Sequence, residues 1–259
     1  MGLKLKEFAG IMNELAPIRF SEGWDNPGLL AGDENKEVGR VYVTLDATSE
    51  AIEAAHEVGA DLILAHHPLI FKPVSRISSD HYVGKRIMRI IAYDMALFAM
   101  HTDFDVTCMG AEAAERLGLI ETKVLEPTVS EEYGLGMFGY LKDDLKLTEL
   151  ADKVKKDFEI DYVRVYGDPD DTIVKVAVLP GSGASAVDAA LAEGCDVLIT
   201  GDVSHHSGTD ALEKGISIID AGHYGIEKLF IGYMKEYIKS NTPAIEVIED
   251  RTGDRSWLR

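Results

Sequence analysis

The chain has 259 residues, of which 46% are apolar and 27% charged, and its formal net charge is −19. This is the composition of a soluble globular protein with core enough for one large domain or two ordinary ones. Such an acidic surface argues against nucleic acid as a partner, and with no apolar stretch near 20 residues a membrane span is not expected.

From the N-terminus, Leu3 to Leu15 has the apolar spacing of a helix, and its first residues lack the apolar core of a signal peptide. Trp24-Asp25-Asn26-Pro27-Gly28 reads as a loop. Strand and helix patterns then alternate: strand 41–45, helix 49–58, strand 62–65, helix 83–93 and strand 96–100. Such alternation predicts parallel strands joined by helical crossovers. Residues 126–172 read as an insertion with a strand at 135–141, a helix at 148–158 capped by Thr148, and a strand at 162–166. The strands at 176–179 and 216–219 follow. Two cysteines, Cys108 and Cys195, do not make a disulfide framework, so a reducing cytoplasm is the expected compartment.

The second half repeats the first at an ungapped offset of 135. Residues 41–67 fall on 176–202, with Val41 and Val43 on Val176 and Val178, Gly59 on Gly194, and Asp61 on Asp196. After a further strand in each half comes His101-x-x-x-Asp105 or His223-x-x-x-Glu227. The expected fold is therefore α/β: two interlinked, pseudo-repeated lobes, 1–125 and 126–259, with mostly parallel strands and a dinuclear metal site between them.

The histidines gather where strands are expected to end, which is where ligands collect in open α/β folds. His66 and His67 follow a buried strand directly, while His101 and Asp105, like His223 and Glu227, stand one helical turn apart. Imidazole with carboxylate suits Zn, Fe, Mn or Ni, and six such groups exceed the needs of one tetrahedral ion. Two divalent ions are expected, with Asp105 or Glu227 bridging them. A capping histidine at 66–67 and a helix-start acid at 105 are the plainer alternatives. His205 and His206 follow Gly201-Asp202 in an expected loop and are candidates for proton transfer, although a solvated loop explains them almost as well. Gly181-Ser182-Gly183 has the look of a phosphate-cradling turn, but a common tight turn accounts for it better.

Leu64-Ala65-His66-His67-Pro68, His101-Thr102-Asp103-Phe104-Asp105, Gly201-Asp202, Gly222-His223-x-x-x-Glu227 and Trp24-Asp25-Asn26-Pro27-Gly28-Leu29 resemble the NIF-three-like family. Its members often carry the name GTP cyclohydrolase I type 2 homologue. The resemblance covers nearly the whole chain and departs at Met137, where many members have a basic residue. It implies two interlinked α/β lobes and a dinuclear centre held by His66, His67, His101, Asp105, His223 and Glu227. It also implies ring-like homohexamers.

Two functions of different kinds fit. One is a metal-dependent hydrolase resembling GTP cyclohydrolase, in which an activated water attacks a small-molecule substrate, either opening the purine ring of a nucleotide or cleaving a phosphoester. The other is a non-catalytic, metal-binding oligomeric scaffold or regulatory partner. Histidine ligands with few thiolates suit open, reactive coordination and favour the hydrolase.

Overall fold

The structure, a computed structural model, describes residues 2–254. It divides into two compact units, Met1–Phe104 with Phe230–Arg259, and Asp105–Leu229. The chain thus leaves the first unit at Phe104 and returns to it at Phe230. This division departs from the expected cut at 125/126, for a physical reason. Strand Ile120–Ser130 forms a hairpin ladder with Tyr133–Lys146, so a boundary at 125/126 would run through the middle of a paired strand.

The first unit is built on a five-stranded sheet in the order Glu246–Glu249, Arg40–Asp46, Leu62–His67, Ala96–Ala99, Gly28–Ala31. Three of its four ladders are parallel, and only Gly28–Ala31 runs antiparallel. Leu62 to Ala65 are wholly buried, as befits a central parallel strand covered on both faces. Helices Ser49–Glu57 and Tyr82–Ala92 are the crossovers. The side chain of Thr48 caps the first of them, accepting from the amide of Ala51 at 3.0 Å.

The second unit holds a six-stranded sheet in the order Ile120–Ser130, Tyr133–Lys146, Thr172–Val178, Val197–Thr200, Ser217–Asp220, Arg164–Tyr166. Only the two ladders among Thr172–Val178, Val197–Thr200 and Ser217–Asp220 are parallel. The expectation of mostly parallel strands therefore holds for the first sheet and fails for the second. The strands of the insertion and of the segment before it join the sheet antiparallel. Helix Leu147–Asp157 starts one residue before the expected cap Thr148, because Glu149 reaches back to the amide of Lys146 at 2.8 Å and fixes the first turn there.

Within each unit the same small device sets the register of the first parallel pair. Val41 pairs with Leu62 and Val43 with Leu64; Val176 pairs with Val197 and Val178 with Ile199. One carboxylate oxygen of Asp61 accepts from the amides of Gly39 and Arg40 at 2.8 and 2.9 Å. One carboxylate oxygen of Asp196 accepts from Val174 and Lys175, both at 2.8 Å. The side chains of Arg40 and Lys175 then reach the carbonyls of Val58 and Glu193. Every one of these positions differs from its counterpart by 135.

Candidate metal centre

In the first unit, strand Leu62–His67 runs through both histidines, where the sequence suggested an end at Ala65. Pairing of Asp46 with His67 prolongs the ladder. His66 is fully buried, and its Nδ1 lies 2.7 Å from the carbonyl oxygen of Met100. A carbonyl only accepts, so Nδ1 carries the proton and Nε2 is left as the lone-pair donor. His67 places Nδ1 2.9 Å from Asp46 Oδ1, and His101 places Nδ1 2.8 Å from Asp25 Oδ1. The ring centroids of the three histidines are 4.9, 5.2 and 5.6 Å apart. One ring nitrogen from each lies within 4.8 Å of the others, a spacing that one ion can span.

Asp25 is the residue that sequence reasoning passed over. Its side chain is closed to solvent, while its second oxygen accepts from the amide of Thr102 at 3.0 Å and the hydroxyl of Thr102 at 2.6 Å. Burial acts most strongly and would raise its pKa, but the combined donors of His101 and Thr102 outweigh it and hold the carboxyl at about 2. Asp25 is thus a fixed anion behind His101. Nearby Asp103 accepts from the amide of His101 at 2.7 Å. Burial dominates there and lifts its carboxyl to about 6, against hydrogen bonds from the backbone of His101 and Phe104.

In the second unit, His223 opens the short helix His223–Glu227 after strand Ser217–Asp220. Its Nδ1 lies 2.8 Å from Asp202 Oδ2, and its Nε2 lies 2.9 Å from Glu227 Oε2. With Nδ1 donating to Asp202, the other nitrogen and the carboxylate oxygen can sit so close only by sharing a proton or a cation. Asp202 adopts a left-handed φ of 55°, a conformation that a short polar side chain tolerates best. Glu227 is 4% exposed. A carboxylate oxygen of Asp105 lies within 4.8 Å of one of Glu227. Asp105 begins a π-helical turn, Asp105–Met109, that the sequence did not announce; such turns often re-aim side chains at functional sites.

Two glycines make room for this arrangement. A Cβ on Gly181, where φ is +79°, would sit 2.3 Å from Glu227 Oε1; one on Gly201 would sit 2.6 Å from the backbone nitrogen of His223. Gly181 thus lets the Gly181-Ser182-Gly183 turn pack closely against the Glu227 carboxylate, as the common tight turn expected there. His205 and His206 are the first residues of helix His205–Lys214, not a loop. The hydroxyl of Ser204 caps that helix, accepting from the amide of Ser207 at 3.1 Å. Both rings are solvent-exposed, and among the described residues neither joins a cluster of three or more possible metal ligands.

The donor set fits a metal. Three histidines in one unit and one in the other each have Nδ1 engaged by an acceptor, three times a carboxylate, which is the outer-shell pattern that orients imidazole ligands.

The sequence model of Duf34/NIF3 (NGG1p interacting factor 3) matches residues 3–252. A protein of Clostridium acetobutylicum named GTP cyclohydrolase 1 type 2 homolog is 37% identical, over 88% of this chain and 86% of its own length. A protein of the same name from Clostridium perfringens is 33% identical, over 92% of each. Among solved structures, a Bacillus cereus protein related to NIF3 superimposes with a TM-score of 0.94 at 25% identity, covering 100% of this chain and 99% of that one.

Proposed function

The chain belongs to the Duf34/NIF3 family, and from that premise we propose that it is a metal-dependent hydrolase acting on a nucleotide. Its two sets of ligands, His66, His67 and His101 in one unit and Asp105, His223 and Glu227 in the other, are the proposed holders of two divalent ions per chain. The observation that carries this reading is the engagement of Nδ1 by an acceptor in all four histidines, the pattern that orients imidazole ligands, with His223 Nε2 turned toward Glu227 Oε2 at 2.9 Å. Relatives named GTP cyclohydrolase 1 type 2 homolog support a purine nucleotide as the substrate class.

Such ions, when bound, would supply Lewis acidity for hydrolysis. The protein's own work is to fix geometry and balance charge. Asp25, Asp46 and Asp202 lock three imidazoles in orientation, and the Met100 carbonyl locks the fourth. Asp105 and Glu227 would bring negative charge that offsets the two dications. His205 and His206, both exposed, are the candidate proton carriers.

The test is elemental analysis of protein purified without chelator, beside a hydrolysis screen of GTP and phosphodiesters. The expected result is about two ions per chain, with turnover that disappears in Glu227→Ala while the fold persists. Undiminished turnover in a Glu227→Ala protein stripped of metal would overturn the proposal. Two ions without turnover would instead favour a metal-binding scaffold.

A further inference from the structure

Trp24 and Phe71 stand on two separate segments of the first unit and remain 58% and 43% exposed. Their ring centroids are 5.7 Å apart at 55°, and they lie 6.1 and 6.3 Å from the ring of His101. A lone exposed aromatic needs no explanation, but this pair is held in place. The Asn26 side-chain amide donates to the carbonyl of Ile70 at 2.5 Å, tying the Trp24 loop to the Phe71 segment. Between them, Asp25 grips His101. Three consecutive residues thus present an aromatic face, orient a metal ligand and fasten the neighbouring loop.

Phe71 also lines a cavity of about 640 Å³ whose wall carries Lys72 and Arg76 and one acid, Asp80, at its far end in sequence. Residues 71–76 contain two cations and no acid in a chain of net charge −19. An aromatic face beside a metal-ligating histidine, leading to local positive charge, matches a planar heteroaromatic ring with an anionic tail.

We propose that Trp24 and Phe71 form a base-stacking subsite beside the histidine triad, with Lys72 and Arg76 receiving the phosphates of a purine nucleotide. The choice of nucleotide rests on the hydrolase reading above, whereas the subsite itself is read out by binding, apart from turnover. Trp24 and Phe71 act as specificity-determining residues, since stacking accepts a base and gives nothing to a bare polyphosphate.

The experiment measures dissociation constants of GTP and of inorganic triphosphate by calorimetry on the full chain, with metal content followed in each variant. Trp24→Ala is expected to weaken GTP by about 5- to 150-fold, the usual range for one lost base–aromatic stack, and to leave triphosphate unchanged. Trp24→Phe should retain most of the GTP affinity. Phe71→Leu, which keeps the apolar bulk, should lose part of it, and Arg76→Ala should weaken both ligands. Unchanged GTP affinity in Trp24→Ala and Phe71→Leu, an equal loss of both ligands in Trp24→Ala, or no binding of GTP to the unmutated chain would each overturn the subsite. Tight, Trp24-dependent GTP binding without turnover would uphold the subsite and remove the hydrolase. Metal-dependent turnover indifferent to Trp24 and Phe71 would do the reverse.

Discussion

Replacing Gly181 by alanine separates the two jobs of that residue. Its φ of +79° is left-handed, and its Cβ would meet Glu227 Oε1 at 2.3 Å, with His223 Cε1 further off at 3.9 Å. The backbone term costs about 1–2 kcal/mol, which lowers Tm by roughly 2–8 °C for a protein of this size. The steric term is different in kind. Relief of the contact even to 3.0 Å, the shortest that real Cβ contacts show, moves the carboxylate by at least 0.7 Å, well beyond the ~0.2 Å within which metal–ligand distances are held. Metal affinity should therefore fall by on the order of tenfold or more. Gly194→Ala is the matched control: φ is +70° there and nothing lies within 4 Å of the added Cβ, so it should lose the same stability and keep its metal. Both proteins would be compared by thermal melting and by metal retained against a graded chelator. Equal retention in the two variants would refute the reasoning, because it would mean that Glu227 is not held as a ligand where Gly181 lets it sit.

Asp25→Asn, Asp46→Asn and Asp202→Asn should each weaken metal binding by about 10- to 100-fold in chelator competition, the usual cost of an outer-shell partner; binding at the unmutated level would remove the orienting role. Asp61→Ala and Asp196→Ala each strip the acceptor from two strand-end amides. They should destabilise by a similar amount, about 1–3 kcal/mol in denaturant titration, with metal content unchanged; a large inequality would argue against equivalent roles. Burial pushes the Cys195 thiol up to about 11, so iodoacetamide at pH 8 should spare it in the folded protein and label it in denaturant.

How much the sequence disclosed depended on whether a signal was local. The strands around 41–45 and 62–65 and their crossover helix could be read from apolar periodicity, because continuous buried runs follow from a sheet covered on both faces. The offset of 135 could be read because Gly59 and Gly194 both turn a helix end through a left-handed φ, and Asp61 and Asp196 both anchor a strand start. Long-range pairing was not readable. Nothing in Glu246–Glu249 announces that it pairs with Arg40–Asp46, some 206 residues earlier. Nor does anything near Gly28–Ala31 announce an antiparallel edge strand. The histidines stood out by clustering, whereas the carboxylates behind them did not. Asp25 is 76 residues from His101 and Asp46 is 21 from His67, and an isolated aspartate in a loop has many ordinary uses.

The return of the chain at Phe230 also bears on how the protein is made. Asp105–Leu229 is continuous, so a ribosome delivers all of it as one stretch, and it is the part able to close its sheet first. The earlier residues 2–104 must wait. Their sheet lacks the edge strand beside Arg40–Asp46 until Glu246–Glu249 emerges, some 206 residues after Arg40, and closing so long a loop is slow compared with local pairing. Until then a strand that is buried in the finished protein has an open edge, a surface that invites pairing with other chains. The unit begun first is thereby the later to be finished, and Glu246–Glu249 decides whether it is.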